Sequence, residues 1–363
     1  MRIYNKIKSI YFLLFFVLIF FGSTKNVFAQ NNTEYYKGVV KEVKDETLPD
    51  NLLSQKVLIE VLEGPEKGKF FNVDYSKLNG LNTKDKLSIN DQVVLEKIIN
   101  TNNESNYYIS DKYRLNNLIY IFVFFILISF IFAKFKAITS LLGLAISFTI
   151  IFTFIIPNIL NGSNPIFISL FGAFLIAVFS IYLAHGINKN TTIALISTLL
   201  TLSLATLMSF LFVGLAKLSG TGNEESMFLQ LGSTSNINLY GLLLGGIIIG
   251  TLGVLDDVTT AQVAAVDEIY KANKNLKFLD LYKRGLNIGK EHIAALINTL
   301  VLAYAGASLP LMLLFFINTS VPVWVTINSE FIAEEIVRTI VGSSSLVLAV
   351  PISTLLSSFF KNR

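Results

Sequence analysis

The stretch GTLGVLDDVTTAQVAAVDEI, residues 250–269, joins two patterns that rarely occur side by side. Its first six residues end an apolar run with closely spaced glycines, and the next two are the adjacent aspartates Asp256 and Asp257. A charged side chain within a bilayer is costly unless it is paired, solvated or functional. The stretch therefore predicts a membrane helix whose end lies either at the water interface or at a functional site.

The composition of the whole chain predicts a membrane location. Of 363 residues, 53% are hydrophobic and only 15% are charged, whereas soluble domains are about a quarter charged. Long apolar blocks in such a chain indicate an integral protein of a lipid bilayer. The net charge of +4 is small and gives no signal for nucleic-acid binding. The chain contains no cysteine, which excludes disulfides and thiolate metal sites, and its two histidines are too few for a histidine-rich site.

The first 114 residues predict a leader followed by a β-rich domain. Residues 1–29 have a basic start, an apolar stretch and small residues just before Gln30, which is typical of a cleaved signal peptide. An uncleaved anchor helix is the alternative. Residues 30–114 contain short runs of alternating polarity separated by turn residues. They predict a small extracytoplasmic domain of about five strands, either an OB-type barrel or a sandwich.

Residues 115–363 form the predicted transmembrane helical domain. Seven apolar runs are long enough to cross a bilayer, at about 116–134, 137–157, 165–185, 191–216, 239–255, 293–317 and 333–358. With the β-rich domain outside, every inner loop is basic, and two of the three outer loops lack lysine and arginine. The sequence therefore predicts an α-helical polytopic protein of the cell membrane. The C-terminus and both aspartates are expected at the cytoplasmic face.

The predicted fifth span is rich in glycine. Two of its glycine pairs have the GxxxG spacing that lets helices approach closely in lipid. Tight packing and a hinge beside a site are both consistent with this pattern. The glycines are Gly241, Gly245, Gly246, Gly250 and Gly253. In the sixth span, Pro310 removes a backbone hydrogen bond and predicts a kink.

Three interpretations of Asp256 and Asp257 stay open. They cap a helix at the water interface, they bind a cation or proton on a transport path, or they hold Mg²⁺. If the helix continues, Asp267 follows Asp256 after eleven residues, roughly 16 Å, so one ion cannot contact both. The start of the sixth span adds three polar residues to the candidate site, namely Glu291, His292 and Asn298.

The last span carries charged residues near its start. Glu334 and Glu335 lie four and three residues before Arg338, a spacing that favours an ion pair within one helix. The sequence therefore predicts an ion pair at the outer membrane interface. In a permease, this pair would serve as an outer gate.

Three blocks of the membrane region carry a family resemblance. GVLDDVTTAQVAAVDEIY begins at Gly253, GLNIGKEHIAALINTLVLAYAGASLPLMLLF begins at Gly285, and EEIVRTIVGSSSLVLAVPIST begins at Glu334. They resemble the signature blocks of the YibE/F family of bacterial membrane proteins, over roughly residues 115–360. The resemblance implies a multi-pass membrane protein with a β-rich extracytoplasmic part, and it implies no particular reaction or substrate.

The favoured hypothesis is a permease-like protein with a polar site at the cytoplasmic end of the fifth span, because transporters build sites from broken helices with ionisable residues. An enzyme is less favoured; it would act on a lipid-linked phosphate with Mg²⁺ held by Asp256 and Asp257. The third hypothesis is an envelope scaffold that acts through the β-rich domain. No cofactor is evident from the sequence, and a divalent cation at the aspartates stays open. A homo-oligomer and a partner membrane protein stay open.

Overall fold

The computed structural model of the chain describes residues 33–47, 53–76, 85–99, 105–232, 237–317 and 321–362. The chain divides into two compact units, Met1–Lys134 and Phe135–Arg363. The predicted signal peptide, residues 1–29, lies outside the described residues.

The first unit contains a five-stranded antiparallel sheet with the order β3-β2-β1-β4-β5. The strands are β1 (Thr33–Thr47), β2 (Leu53–Val61), β3 (Phe70–Tyr75), β4 (Gln92–Ile99) and β5 (Ser105–Lys112). The long β1 pairs with both β2 and β4. Phe71 of β3 stacks on Tyr107 of β5 with ring centroids 3.8 Å apart, so the sheet curls until its edge strands meet. A partly closed five-stranded barrel of this kind is consistent with the OB type.

The interior of this partly closed barrel, which we call the half-barrel, follows the alternating pattern predicted from the sequence. Side chains on one face of β1, β2, β3 and β4 are buried, and those with no exposure are Val40, Val57, Ile59, Val93 and Leu95. At Gly38 a Cβ atom would lie 2.4 Å from Ile59 Cγ2, so only glycine fits there. The β-rich prediction is therefore confirmed, because a period-two pattern buries one face of each strand.

A polar cluster lies beside the stacked pair Phe71 and Tyr107, where the edge strands β3 and β5 meet; we call this region the barrel seam. Glu66, in the turn before β3, accepts hydrogen bonds from the Tyr107 hydroxyl at 2.5 Å and from Lys97 Nζ at 3.3 Å. Burial by itself would raise the pKa of Glu66, but these hydrogen bonds outweigh it and hold the pKa below its usual value. Burial and the bond to Glu66 raise the pKa of Tyr107 to about 12.

The other regular elements of the described residues are helices. The first unit ends with α1 (Leu115–Ala133), which has no buried residue. The second unit contains α2 (Phe135–Ile150), α3 (Ile156–Leu160), α4 (Pro165–His185), α5 (Lys189–Leu215), α6 (Glu224–Leu231), α7 (Leu239–Ala272), α8 (Phe278–Ala307), α9 (Leu309–Ile317), α10 (Val323–Ile327) and α11 (Glu330–Lys361). A π-helical turn, Ile151–Ile155, makes α2 and α3 one continuous segment.

Asparagine side chains begin three of the long helices. Asn164 accepts a hydrogen bond from Ile166 N at the start of α4, Asn188 from Thr191 N at the start of α5, and Asn238 from Gly241 N at the start of α7. Each of these side chains satisfies a backbone N–H that has no partner within the helix. The caps explain why the helices begin where the apolar runs begin.

Six helices of the described residues are long and apolar enough to cross a membrane: α1, the α2–α3 segment, α4, α5, α7 and α11. They correspond to six of the predicted spans. The predicted span at 293–317 is not among them; there α8 ends at Ala307 and α9 begins at Leu309. Pro310 occupies the first turn of α9, where its missing N–H costs nothing. The discontinuity therefore takes the form of two helices joined at Ser308.

Helix α7 is longer than the predicted fifth span. It runs without a break from Leu239 to Ala272, 34 residues, or roughly 51 Å at the α-helical rise. The apolar core of a bilayer is about 30 Å thick, so α7 extends beyond it. Asp256 and Asp257 therefore lie within a continuous helix and do not cap a following one.

Helix α7 also lies at the centre of the second unit, where it packs against α4, α5, α8 and α11. At Gly245 a Cβ atom would lie 2.4 Å from Ser169 Oγ of α4, so this glycine permits the close approach. Gly241 contacts Pro165 in the same way. Gly246 and Gly253 have open space beside them, so the glycines of α7 belong to two different faces.

Candidate functional site

Asp256 lies on the face of α7 that packs against α4. Its side chain is half-buried, and the Ser180 hydroxyl of α4 donates a hydrogen bond to Asp256 Oδ2 at 2.8 Å. The other carboxylate oxygen, Oδ1, is buried and has no hydrogen-bond partner among the described residues. Buried carboxylate oxygens need a donor, a proton or a cation. Among the described residues, Oδ1 therefore lacks the partner that a buried carboxylate oxygen requires.

A third helix, α2, packs against α4 beside this site. A Cβ atom added to Gly143 of α2 would lie 3.5 Å from Ser180 Cα and 3.7 Å from Ser180 Oγ. These are ordinary van der Waals distances, so α2 packs against α4 beside the serine that holds Asp256. Ser180 thus joins α4 to α7 and also lies against α2.

Asp257 has a different environment from its neighbour. Consecutive residues of an α-helix point about 100° apart, and the side chain of Asp257 is exposed while that of Asp256 is half-buried. The two carboxylates therefore do not converge on one position. Among the residues that the structure describes, no group of three or more His, Cys, Asp or Glu side chains could hold a metal ion.

Polar contacts continue along the buried face of α7 beyond Asp256. The hydroxyls of Thr198 and Thr259 lie 2.6 Å apart and join α5 to α7. Gln262 is 1% exposed. Its Nε2 donates to the Gly285 carbonyl at 2.9 Å and to Thr354 Oγ1 at 2.7 Å, which joins α7 to α8 and α11. These groups satisfy one another inside the bundle, so they explain why polar residues are tolerated there.

A small cavity lies one turn beyond Asp256. It has a volume of about 180 Å³, and its lining includes His185, Asn190 and Thr260. The Thr260 hydroxyl donates to the Asp256 carbonyl at 2.9 Å, so the cavity adjoins the turn that carries the carboxylate. The lining is mixed polar and apolar, and a cavity of this size has room for water.

Asp267 closes the same end of the bundle. It is 5% exposed and forms ion pairs with Lys361 of α11 and, at 2.9 Å, with Lys271. Asn190 of α5 donates a further hydrogen bond at 2.7 Å. Asp267 thus connects α5, α7 and α11, and its carboxylate is fully engaged in structural contacts. It is separate from the Asp256 site, as the eleven-residue spacing predicts.

A family model described as YibE/F-like protein matches residues 121–363, which is more than half of the chain. The chain belongs to the YibE/F-like family. No curated protein and no solved structure matches it. The YibE/F-like match contains the whole second unit, including Asp256, and the half-barrel lies before it. Together with the apolar helices, the match establishes an integral membrane protein.

The remaining polar residues predicted for the site belong to α8 of this YibE/F-like protein. Glu291 and Asn298 are exposed and His292 is half-buried. Within the described part of the chain, no hydrogen bond or ion pair connects any of them to Asp256. Their role in an ion site stays a prediction, whereas Ser180 is the residue that the fold places on Asp256.

The predicted ion pair at the other end of the bundle is formed by Glu335 and Arg338. Glu335 Oε1 lies 3.1 Å from Arg338 Nη1, and both side chains are about 30% exposed. Glu334 points about 100° away from Glu335 on the helix, where it is 1% exposed and accepts a hydrogen bond from Gly222 N at 2.8 Å. The sequence left open which glutamate pairs with the arginine.

Sequence reasoning missed Ser180, Asn190, Gln262 and Glu330. Ser180 and Gln262 each interrupt an apolar run, which signals a partner within the bundle. The identity of the partner depends on which helices are neighbours. For Ser180 and Asp256 the separation is 76 residues, so no local pattern predicts the pairing.

Proposed function

We propose that this YibE/F-like protein is a permease that moves a proton or a small cation, with Asp256 as the ion-binding group. The observation that carries the proposal is the buried Asp256 Oδ1, which has no partner among the described residues. A carboxylate in such a place binds a proton or a cation in order to remove its uncompensated charge. Ser180 would hold the carboxylate in position through Oδ2.

The surroundings of Asp256 support an ion path. The cavity beside Thr260 adjoins the turn that carries Asp256, which would allow hydrated ions to reach the carboxylate. The π-helical turn Ile151–Ile155 interrupts the regular hydrogen bonding of the segment that contains Gly143. Such turns occur often at functional sites. Movement there would change the contact between α2 and Ser180.

Magnesium chemistry on a lipid phosphate has weaker support. It would use Asp256 and Asp257 together, and their side chains point about 100° apart on one continuous helix. Mg²⁺ requires near-octahedral oxygen ligands and binds through one or two carboxylates and a phosphate. One half-buried and one exposed carboxylate do not form such a pair. The permease is therefore the function that the geometry favours.

The test is ion flux into sealed vesicles that contain the purified protein. A pH-sensitive dye trapped inside reports proton movement, and imposed Na⁺ or K⁺ gradients distinguish a proton from a metal cation. Wild-type protein should produce flux above protein-free vesicles for one of these ions. Asp256→Asn should lower it at least about tenfold, because a neutral amide cannot exchange the ion.

The matched control is Asp257→Asn, the same change at the next residue. It should retain most of the flux, since the Asp257 side chain is exposed. Ser180→Ala should lower the flux less than Asp256→Asn does, because it removes a hydrogen bond and leaves the carboxylate. Equal losses from both aspartate variants, or full flux from Asp256→Asn, would reject Asp256 as the ion-binding group.

A further inference from the structure

A second buried carboxyl group lies at the opposite end of the bundle from Asp256. Glu334 of α11 is 1% exposed. Its Oε1 accepts one hydrogen bond, from Gly222 N at 2.8 Å, and its Oε2 is buried without a partner among the described residues. Arg338, one turn later, is engaged by Glu335 at 3.1 Å. Glu334 thus lacks a cationic partner in the part of the chain that the structure describes.

Glu330, one turn earlier on α11, has contrasting surroundings. Its carboxylate accepts hydrogen bonds from Ser219 N at 2.5 Å, Ser219 Oγ at 2.7 Å and Gly220 N at 3.0 Å. The backbone N–H and hydroxyl of Thr221 donate two more, at 3.4 Å and 3.2 Å. A carboxylate with this many donors is stabilised in its ionised form. The loop Ser219–Gly222 therefore donates five hydrogen bonds to Glu330 and a single one to Glu334.

The loop lies so close to α11 that nothing else fits between them. At Gly222 a Cβ atom would lie 2.6 Å from Glu334 Cδ and 2.8 Å from the Glu330 carbonyl oxygen. Gly220 has a positive φ of 88°, and a Cβ there would lie 2.3 Å from the Leu239 carbonyl oxygen. A metal cation such as Ca²⁺ needs six or more oxygen ligands, and this site offers few. A proton is the ligand that fits.

The charged groups around Glu334 do not neutralise it. Those that act on it are Glu330, Glu335 and Arg338, all on α11. The covering segment, residues 218–223, contains no ionisable side chain. The nearby parts of α7 and α8 contribute only tyrosines as titratable groups, Tyr240 and Tyr304, and α5 contributes none over residues 200–215. An ionised Glu334 would be a buried negative charge one turn from ionised Glu330, which is unfavourable.

We propose that Glu334 is a proton-binding site, and that its proton keeps the loop Ser219–Gly222 closed on α11. In the protonated state the neutral carboxyl accepts the Gly222 N–H and tolerates burial. When the proton leaves to water, the negative charge requires hydration, and the loop opens to admit it. Gly222 then loses its hydrogen bond, while Glu330 keeps its own donors as an anchor. This site is distinct from Asp256, so the proposal for Glu334 does not depend on ion transport.

Infrared difference spectroscopy of the full-length protein across a pH series tests the proton directly. A protonated carboxyl group has a carbonyl band that the ionised form lacks. Wild-type protein should show such a band, which disappears as the pH rises. Glu334→Gln should lack that component, and Glu335→Gln, the matched neighbour, should keep it. A component that persists unchanged in Glu334→Gln, or a wild-type spectrum without a titrating component, would overturn the assignment.

Asp256→Asn separates this proposal from the proposed function. That variant should keep the Glu334 component even if vesicle flux is lost. If wild-type vesicles show no flux and the Glu334 component is present, the permease fails and the proton site stands. If flux depends on Asp256 and the Glu334 component is absent, the proton site at Glu334 fails and the permease stands.

Hydrogen–deuterium exchange of residues 219–222 tests the coupling to the loop. Wild type and Glu334→Gln are compared at the same pH, so that the intrinsic effect of pH on exchange cancels. Wild-type exchange should become faster at high pH by about tenfold relative to the variant, as expected for loss of one hydrogen bond. Glu334→Gln should stay closed, because its amide is neutral at every pH. Parallel behaviour of the two proteins would refute the coupling.

Discussion

Asp267→Asn should be among the most destabilising single substitutions in the second unit. Asp267 is 5% exposed and pairs with Lys361, whose side chain is 18% exposed, and with the more exposed Lys271. Removal of one partner from a buried ion pair typically costs about 3–5 kcal/mol, since the other charge stays buried without compensation. The partial exposure of Lys361 and Lys271 reduces this, and we expect about 2–3 kcal/mol.

The adjacent residue offers the matched control. Glu268 pairs with the same Lys271 at 2.7 Å, but its side chain is 73% exposed. Glu268→Gln should therefore cost no more than about 1 kcal/mol. For a unit of this size, 1 kcal/mol corresponds to roughly 2–4 °C in Tm, so Asp267→Asn should lower Tm by about 4–12 °C and Glu268→Gln by less than about 4 °C.

Thermal unfolding of the purified protein in detergent measures both variants, with the single tryptophan, Trp324, as an intrinsic reporter. Lys361→Met added to Asp267→Asn should cost less than the sum of the two single changes, because it removes the uncompensated charge. Equal Tm losses from Asp267→Asn and Glu268→Gln, or strict additivity with Lys361→Met, would contradict the role assigned to Asp267.

Two further predictions concern helix packing and the half-barrel. Gly289→Ala should destabilise the second unit by about 1–3 kcal/mol, because its Cβ would lie 2.2 Å from Val350 Cγ1, whereas Gly246→Ala enters open space and should leave Tm unchanged or slightly raised. Thermal unfolding of the two glycine variants checks this, and equal losses would contradict it. In the half-barrel, the pKa of Tyr107 is raised to about 12, so its stabilising contribution is complete below pH 10 and is lost as the pH rises through 12. The pKa of Glu66 is lowered, so its contribution is present above pH 4.5 and is lost as the pH falls further. Tyr107→Phe should remove the alkaline part of this pH dependence, and Glu66→Gln should remove the acidic part. Hydrogen exchange of β3–β5 in the full chain measures both, with each variant compared with wild type at the same pH. An unchanged pH profile would count against the cluster at the barrel seam.

Local patterns in the sequence determined the elements of this protein. Apolar runs longer than about 18 residues predict membrane helices because every backbone polar group must be satisfied within the segment. Six of the predicted spans coincide with long apolar helices in the structure. Alternation of polarity likewise predicted the β-rich domain, since one face of each strand must be buried. Boundaries were less predictable: α7 continues 17 residues past the predicted end at 255, to Ala272.

Tertiary structure alone decided what each polar residue does. Asp256 and Asp257 look equivalent in the sequence, yet of their two carboxylates only that of Asp256 accepts a hydrogen bond from a hydroxyl among the described residues, from Ser180 on another helix. Glu334 and Glu335 look equivalent as partners of Arg338, yet the loop at Gly222 covers the first and leaves the second to the arginine. The physical reason is the same in both pairs. Adjacent residues on a helix point in different directions, and the environment of each depends on neighbouring helices that are distant in sequence.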